Sequence, residues 1–311
     1  MSAILDQINL ADLPPQAIVE TVDAAALRDA WIANMVMLHP EIADAIALES
    51  EPSRKQAEVA ALIEAALRQR LNEAAQAMSL AHAVGADLDH LGVTYHRTAR
   101  LLITPAQPDA IPPVAAVWET DAAYRARCQL APEAYTAAGT VGSYTYHALS
   151  VEPIDGEYVA GISCVLPAAD DRVMITVRGS AGDGTPSAAL LAAVTARLTD
   201  DYVRPLGATI EVQAAEIVPY TVTAGLELED GAGADLVLAA AQADLAAYLA
   251  DARRLGQETA PGQYVTRVAR SGIDAALHQP SVRRVTLAGW VDIAPTPYQS
   301  AVCTGTEVTI A

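Results

Sequence analysis

The chain has 311 residues, 52% of them hydrophobic, and its 38 acidic residues outnumber 19 basic ones to give a formal net charge of −19. Such a length predicts about two domains with cores of their own, and the negative charge argues against binding to nucleic acid or to an anionic membrane surface. No apolar run approaches the roughly 20 residues that a membrane-spanning helix needs. Three widely spaced cysteines fit neither a metal site nor a fully paired disulfide framework, so we expect a soluble protein made in a reducing cytoplasm.

The N-terminal region is predicted to be an arm followed by a helix. We expect an extended arm over residues 1–16, because Pro14-Pro15 disfavours regular structure there. The helix should begin after Asp23, a good N-cap residue, and end at His39-Pro40. Its predicted apolar face consists of Leu27, Trp31, Met35 and Leu38.

A much longer helix is predicted from residue 52 to residue 84. Pro52 suits the first helical position, where its missing N–H costs nothing, and neither Gly nor Pro interrupts the segment that follows. Gly85 is expected to close this helix in the left-handed conformation, and a short helix capped by Asp87 should follow. At about 1.5 Å per residue, the long helix would extend roughly 48 Å.

The long helix carries an apolar stripe, because its hydrophobic residues recur at three- and four-residue steps. The stripe consists of Val59, Leu62, Ile63, Ala66, Leu67, Leu71, Ala74 and Met78, and Ala81 continues it. A helix of this length needs partner helices along most of its stripe. We therefore predict that the stripe is a partner interface within a helical bundle. The alternative is a long core helix that this chain covers itself.

The rest of the chain alternates helices with strands. Four prolines between residues 105 and 113 predict a semi-rigid linker and a domain boundary. The elements predicted beyond it are helices at 120–132 and 142–150, strands at 161–166 and 172–178, a helix at 186–199, strands at 208–213 and 220–229, helices at 234–253 and 261–278, and strands at 282–287 and 302–310.

These patterns predict an α+β fold with three regions. The first, residues 1–104, contains the arm and the long-helix bundle region; residues 105–216 and 217–311 form two small mixed α/β sandwich domains. No predicted strand is a continuous apolar run, which argues against a doubly wound sheet.

One glycine-rich loop, GSAGDGT at residues 179–185, follows a predicted strand and opens a predicted helix. Backbone N–H groups in that position can bind an anion. The loop lacks the lysine of phosphate-binding P-loops, and Asp183 would repel phosphate. We therefore interpret it as a tight strand-to-helix turn.

A group of polar residues, His82, Asp87, Asp89, His90 and His96, invites a metal-site hypothesis. His82 and His90 are more than two helical turns apart, a spacing unlike that of zinc ligands, so we interpret the group as solvated side chains near a helix end. We also find no exposed nucleophile with a neighbouring base. The sequence therefore predicts no catalytic residue, no metal and no cofactor.

Two arginine pairs stand out on so acidic a chain. Arg253-Arg254 suits the C-terminal end of a predicted helix electrostatically. Arg283-Arg284 lies at the start of a predicted strand, where it is either solvated, covers carboxylates of its own chain, or contacts an acidic neighbouring subunit in a ring.

Several short segments, taken in order along nearly the whole chain, resemble the baseplate J-like family of contractile-tailed phages and related R-type bacteriocins. They are LESEP at 48–52, RQRLNEAA at 68–75, GADLD at 85–89, QLAPE at 129–133, YHALS at 146–150, GDGT at 182–185, VRPL at 203–206, VPY at 218–220 and AALHQP at 275–280.

This resemblance implies a structural baseplate wedge protein of a contractile tail, without an enzymatic site. Members of the family pair as two copies with one smaller wedge protein of the I type, and their N-terminal helices form a shared bundle. Their C-terminal domains link wedges into a ring around the central hub and spike, next to a sheath-initiator-like wedge protein. The implied location is the virion tail baseplate, assembled in the cytoplasm of the bacterial host. The alternative from another class is a cytosolic α/β enzyme whose site is dispersed in sequence.

Overall fold

The structure, a computed structural model, describes residues 10, 13–14, 22–167, 171–229, 233–260 and 262–310. These residues form two compact units, a helical unit that ends at Ala99 and an α/β unit that begins at Arg100. The predicted α+β class is confirmed, whereas most of the predicted arm lies outside the described residues. Within them, no helix combines the length and the apolar character that crossing a membrane requires.

The helical unit is built on two helices that pack against each other. Its helices are α1 (Ala24–Leu38), α2 (Ala43–Ile46), α3 (Pro52–Ala77) and α4 (Gly85–His96), with a 3-10 turn at Pro40–Ile42. The first helix has its predicted bounds, because the Asp23 carboxylate accepts a hydrogen bond from the Ala25 N–H at 2.9 Å and so caps its start. Helix α1 then packs along α3.

The long helix is shorter than predicted. It ends at Ala77, and its 26 residues extend roughly 39 Å at about 1.5 Å per residue. A turn follows, in which the Ser79 carbonyl accepts a hydrogen bond from the Ala83 N–H at 2.8 Å. Ala83 and Leu88 become buried beyond the turn. The sequence over residues 53–84 contains no Gly or Pro that would stop the helix. The burial of these two side chains therefore outweighs the local helix propensity.

Two predicted roles at the start of α4 were wrong. Gly85 has the expected left-handed φ of 54°, but it opens α4 instead of closing α3. Asp87 lies inside the first turn of α4, whose N-cap is Val84, and therefore does not cap the helix. An acidic side chain in the first turn still interacts favourably with the helix dipole.

The α/β unit alternates helices with strands, as predicted. Its elements are β1 (Leu102–Thr104), β2 (Val117–Trp118), α5 (Asp121–Leu130), a 3-10 turn (Ala131–Tyr135), α6 (Val141–Leu149), β3 (Val159–Val165), β4 (Arg172–Gly179), α7 (Ala188–Leu198), β5 (Thr209–Ala214), β6 (Glu216–Leu228), α8 (Ala234–Ala252), β7 (Glu258–Ala260), β8 (Gln263–Tyr264), α9 (Arg270–Leu277), β9 (Val282–Leu287) and β10 (Gln299–Ile310). Thr120, Thr140 and Ser187 cap α5, α6 and α7 by accepting a hydrogen bond from the backbone N–H three residues later.

The α/β unit contains two separate sheet-and-helix layers, each with its own core. In the first, β3 pairs antiparallel with β4, and β4 pairs parallel with β5. In the second, β6 lies between β10, its parallel neighbour, and β9, its antiparallel neighbour. The first core includes Ile175 and Leu190, and the second includes Leu226 and Leu245, all fully buried or nearly so. Two mixed α/β cores fit the predicted α+β class, and their division into two domains stays a prediction.

Two local predictions in this unit were wrong. The proline-rich segment is the loop of a hairpin rather than a linker, because β1 and β2 pair antiparallel around it. The helix predicted at 261–278 begins only at Arg270. Gly262, with a φ of 74°, lies between the paired strands β7 and β8, and the β-branched Val265, Thr266 and Val268 that follow favour extended backbone.

A buried ion pair links Glu119, which follows β2, to Arg127 of α5. Arg127 donates from Nη2 to Glu119 Oε2 at 2.6 Å and from Nε to Oε1 at 2.9 Å. Both side chains are less than a tenth exposed. Arg127 also donates to the Ser150 hydroxyl at 3.2 Å, and Glu119 accepts from the Leu101 N–H at 3.3 Å. The pair therefore joins β2, α5 and the end of α6.

We expect Arg127→Met to destabilise the α/β unit strongly, because it leaves the Glu119 carboxylate buried without its cation. Loss of one partner from a buried pair costs about 3–5 kcal/mol. The matched control is Arg172→Met, which breaks the exposed pair between Arg172 and Glu211 and should cost at most about 1 kcal/mol. Calorimetric unfolding of the full chain checks the difference, and equal destabilisation of both variants would contradict it.

Candidate interface helix

The apolar stripe of α3 is not covered by the described part of this chain. Its six large side chains, Val59, Leu62, Ile63, Leu67, Leu71 and Met78, are between 54% and 77% exposed. Ala66 and Ala74, the small members of the stripe, are exposed as well. The alternative of a core helix covered within the chain therefore finds no support among the described residues.

The opposite side of α3 is the side that this chain buries. Ala57, Ala61, Asn72 and Ala75 are buried there, at spacings that place them on one face of the helix. Small alanine side chains allow α1 to approach closely, and the Trp31 indole Nε1 donates to Glu64 Oε2 at 2.8 Å. The helical unit thus buries the face of α3 that carries small side chains and exposes the face that carries the large hydrophobic ones.

Ion pairs on α3 satisfy the charged side chains that flank the stripe. Lys55 Nζ lies 2.9 Å from Glu58 Oε2, and Arg68 Nη2 lies 2.8 Å from Glu64 Oε1. The hydrogen bond from Lys55 lowers the pKa of Glu58, and the bonds from Trp31 and then Arg68 lower the pKa of Glu64. These carboxylates remain charged at neutral pH and mark the polar borders of the apolar face.

The helical unit exposes further large apolar side chains besides those of the stripe. They are Trp31, Met37, Leu38, Leu48, Val84, Val93 and Tyr95. Leu27 and Met35 of the predicted α1 face are only half-buried, while Trp31 and Leu38 are exposed. The sequence pattern did not single out Val84, Val93 and Tyr95, because all three lie beyond the predicted stripe. Many exposed large apolar side chains on one small unit are typical of a protein that binds another protein.

The second predicted interface, Arg283-Arg284, lies on the edge strand β9. Both arginines are exposed. Arg284 faces Glu227 of β6 across the sheet, with 3.9 Å between Nη1 and Oε1. An exposed pair at that distance contributes little to stability.

The residues considered for metal binding do not form a ligand cluster. Among the described residues, no group of three or more His, Cys, Asp and Glu side chains is placed to hold a metal ion. Asp87, His90 and His96 instead line an open cleft of about 620 Å³, together with apolar residues from the end of α3 and from α4.

The glycine-rich loop uses its own backbone N–H groups internally. The Gly179 N–H donates to the Gly184 carbonyl at 2.8 Å, and the Gly184 N–H donates to the Ala181 carbonyl at 2.9 Å. The Thr185 N–H donates to the Asp183 carboxylate at 2.9 Å. The loop is therefore a closed turn between β4 and α7, and these donors are not available to cradle an anion.

The cysteines also lack the features of activated nucleophiles. Cys128 and Cys164 are buried, and burial raises the pKa of Cys128 and raises the pKa of Cys164 to about 12. Cys303 is half-buried, and its thiol donates to the Gly305 carbonyl at 3.2 Å. A raised thiol pKa depletes the thiolate, which is the reactive form.

Comparisons with known proteins find similarity to phage baseplate proteins. A family model described as the Baseplate J-like N-terminal domain matches residues 49–107, a range that contains all of α3 and α4. The baseplate protein J of Escherichia phage P2 is 40% identical to this chain over 303 residues, which cover 96% of the chain and 95% of that protein.

We expect a thiol reagent at about pH 8 to modify Cys303 at least about a hundredfold faster than Cys128 or Cys164, because the two buried thiols hold little thiolate there. Peptide mass spectrometry after timed alkylation of the native protein measures the three rates. In denaturant the three cysteines should react alike. Comparable native rates at Cys164 and Cys303 would show that the burial of Cys164 does not protect it.

Proposed function

Because the chain belongs to the baseplate J-like family and has a structural role in a phage tail baseplate, we propose that it is a wedge subunit of a contractile tail. In this proposal it pairs with a second copy of itself and with one smaller wedge protein of the I type. The observation that carries the proposal is the exposed apolar stripe of α3. Family membership points to a structural protein rather than an enzyme, and no observation favours the dispersed-site enzyme.

The energetics of the stripe support burial against partner helices. Burying a large aliphatic side chain stabilises by about 1.5–3 kcal/mol. Val59, Leu62, Ile63, Leu67 and Leu71, all more than half exposed, would together contribute roughly 5–9 kcal/mol before the entropy of association is subtracted, because part of each side chain is already buried. The apolar stripe from Val59 to Met78 is therefore the proposed bundle interface.

We further propose that the three predicted regions divide the work of assembly. Residues 1–104 would join the bundle, residues 105–216 would form the middle domain, and residues 217–311 would link neighbouring wedges into a ring around the hub and spike. The two separate cores of the α/β unit support distinct middle and C-terminal domains. A sheath-initiator-like wedge protein is the remaining proposed neighbour, and assembly would take place in the host cytoplasm before incorporation into the virion.

We expect Leu67→Asp to abolish wedge assembly without unfolding the free chain. Leu67 is 54% exposed in the chain alone, so the carboxylate stays hydrated there, whereas in a bundle it would be buried without a partner. The measurement is co-purification with the other tail proteins, alongside a thermal melt of the free chain. Leu236→Asp, the same change at an exposed helical position of the α/β unit, is the matched control. Normal assembly of the Leu67 variant would refute the proposed interface.

We expect the double change Arg283→Glu and Arg284→Glu to permit wedges but prevent closed rings. Both side chains are exposed on the edge strand β9, so the fold should tolerate the change, while an acidic neighbour would be repelled. Negative-stain images of the assembled particles decide the outcome. Closed baseplates with this variant would show that the arginines are solvated or only accompany Glu227.

A further inference from the structure

Arginines from distant parts of the sequence gather beside the glycine-rich loop of the α/β unit. Arg178 lies one residue before the end of β4, Arg253 and Arg254 follow α8, and Arg267 lies shortly before α9. We call these four residues the arginine cluster. Arg178 and Arg253 approach each other at Gly184. A Cβ atom built there would be 3.2 Å from Arg178 Cγ and 3.3 Å from Arg253 Nη2. Arg253 Nη2 also donates to the Gly182 carbonyl at 2.7 Å.

The side chain of Arg178 occupies a slot between two glycines. A Cβ atom at Gly161 would lie 3.4 Å from Arg178 Nε, and one at Gly184 would lie even closer to Arg178 Cγ. Arg178 Nη2 donates to the Ala160 carbonyl at 3.0 Å. The Nε atoms of Arg178 and Arg253 are buried and have no acceptor among the described residues. The slot thus holds the Arg178 guanidinium group in place but offers no hydrogen-bond acceptor to its Nε.

Positive charge in the cluster exceeds the negative charge beside it. Arg254 pairs with Asp251, whose charge also acts on Arg267, and Asp183 of the loop interacts electrostatically with Arg253. Among the described residues, no carboxylate lies within ion-pair distance of Arg178, Arg253 or Arg267. Burial, and then the charge of Arg253, lower the pKa of Arg178 to about 10. Burial, and then the charge of Arg254, lower the pKa of Arg267. The lowered pKa values of Arg178 and Arg267 indicate that these cations are poorly solvated and repel one another.

This arrangement is unexpected on a chain with 38 acidic and 19 basic residues. A partly buried cation normally recruits a carboxylate of its own chain, and leaving it unpaired is unfavourable. Guanidinium groups bind carboxylates in a two-pronged geometry. The cluster therefore has the chemistry of a site whose acidic ligand comes from outside the chain.

We propose that the arginine cluster is a docking site for an acidic segment of a second copy of this chain, whose carboxylates bind the guanidinium groups of the cluster. With a net charge of −19, two copies repel each other over most of their surfaces. The cluster is a place where one copy attracts the other. The proposal deepens the proposed function, because it assumes that copies meet in the baseplate, and it adds a contact distinct from the α3 stripe.

A charge series at Arg254 tests the proposal with little risk to the fold, since Arg254 is exposed and its side chain contacts Asp251. Sedimentation velocity of the full-length chain, at low and high ionic strength, measures self-association. We expect Arg254→Lys to keep the wild-type behaviour and Arg254→Glu to weaken association by about tenfold or more. The wild-type association itself should weaken as salt rises. Arg172→Glu, at another exposed arginine paired with a carboxylate, is the matched control and should have little effect.

Zero-length carbodiimide cross-linking identifies the occupant. In a mixture of ¹⁴N- and ¹⁵N-labelled Arg254→Lys chains, we expect the introduced lysine to link to an Asp or Glu of the differently labelled copy. Links confined to the same chain would overturn the proposal, as would an equal effect of all the charge variants or the absence of salt-sensitive self-association. If Leu67→Asp abolishes self-association and Arg254→Glu does not, the inference fails while the bundle proposal stands.

Discussion

The structure depends on how α3 divides its surface between the chain and its surroundings. One face carries alanines and is buried against α1, and the other carries the large aliphatic residues and remains exposed. Because hydrophobic stabilisation scales with apolar area removed from water, the face of α3 that the described residues leave exposed is the one whose burial would stabilise more. The proposed bundle would bury this second face of α3.

The two units differ in which side chains they bury. Each layer of the α/β unit has a core of fully buried aliphatic residues such as Ile175 and Leu245, and the pair between Glu119 and Arg127 adds a buried polar link. The described helical unit buries chiefly alanine together with Ile46 and Leu88. We infer that the α/β unit is stable on its own account, while the helical unit gains much of its stability on assembly.

Local sequence signals predicted much of this fold. Asp23, Thr120 and Ser187 cap helices whose starts were predicted, and the strands predicted at 172–178 and 282–287 were found in place as β4 and β9. Predictions failed where tertiary burial decided the backbone, as at the turn after Ala77, or where a glycine hairpin interrupted a helical pattern, as at Gly262. Periodicity identified the α3 stripe but not the alanine face that α1 covers. It could not have found the arginine cluster, whose members meet only through the packing of α8 beside the glycine-rich loop.

The central claim is that the stripe from Val59 to Met78 is buried between chains, and electron cryo-microscopy of the assembled baseplate tests it most directly. We predict that Leu62, Ile63, Leu67 and Leu71 contact helices of a second copy and of a smaller wedge protein, and that their exposure falls from more than half to nearly zero. A baseplate in which these side chains remain in solvent, or are covered only by residues of their own chain, would contradict the account.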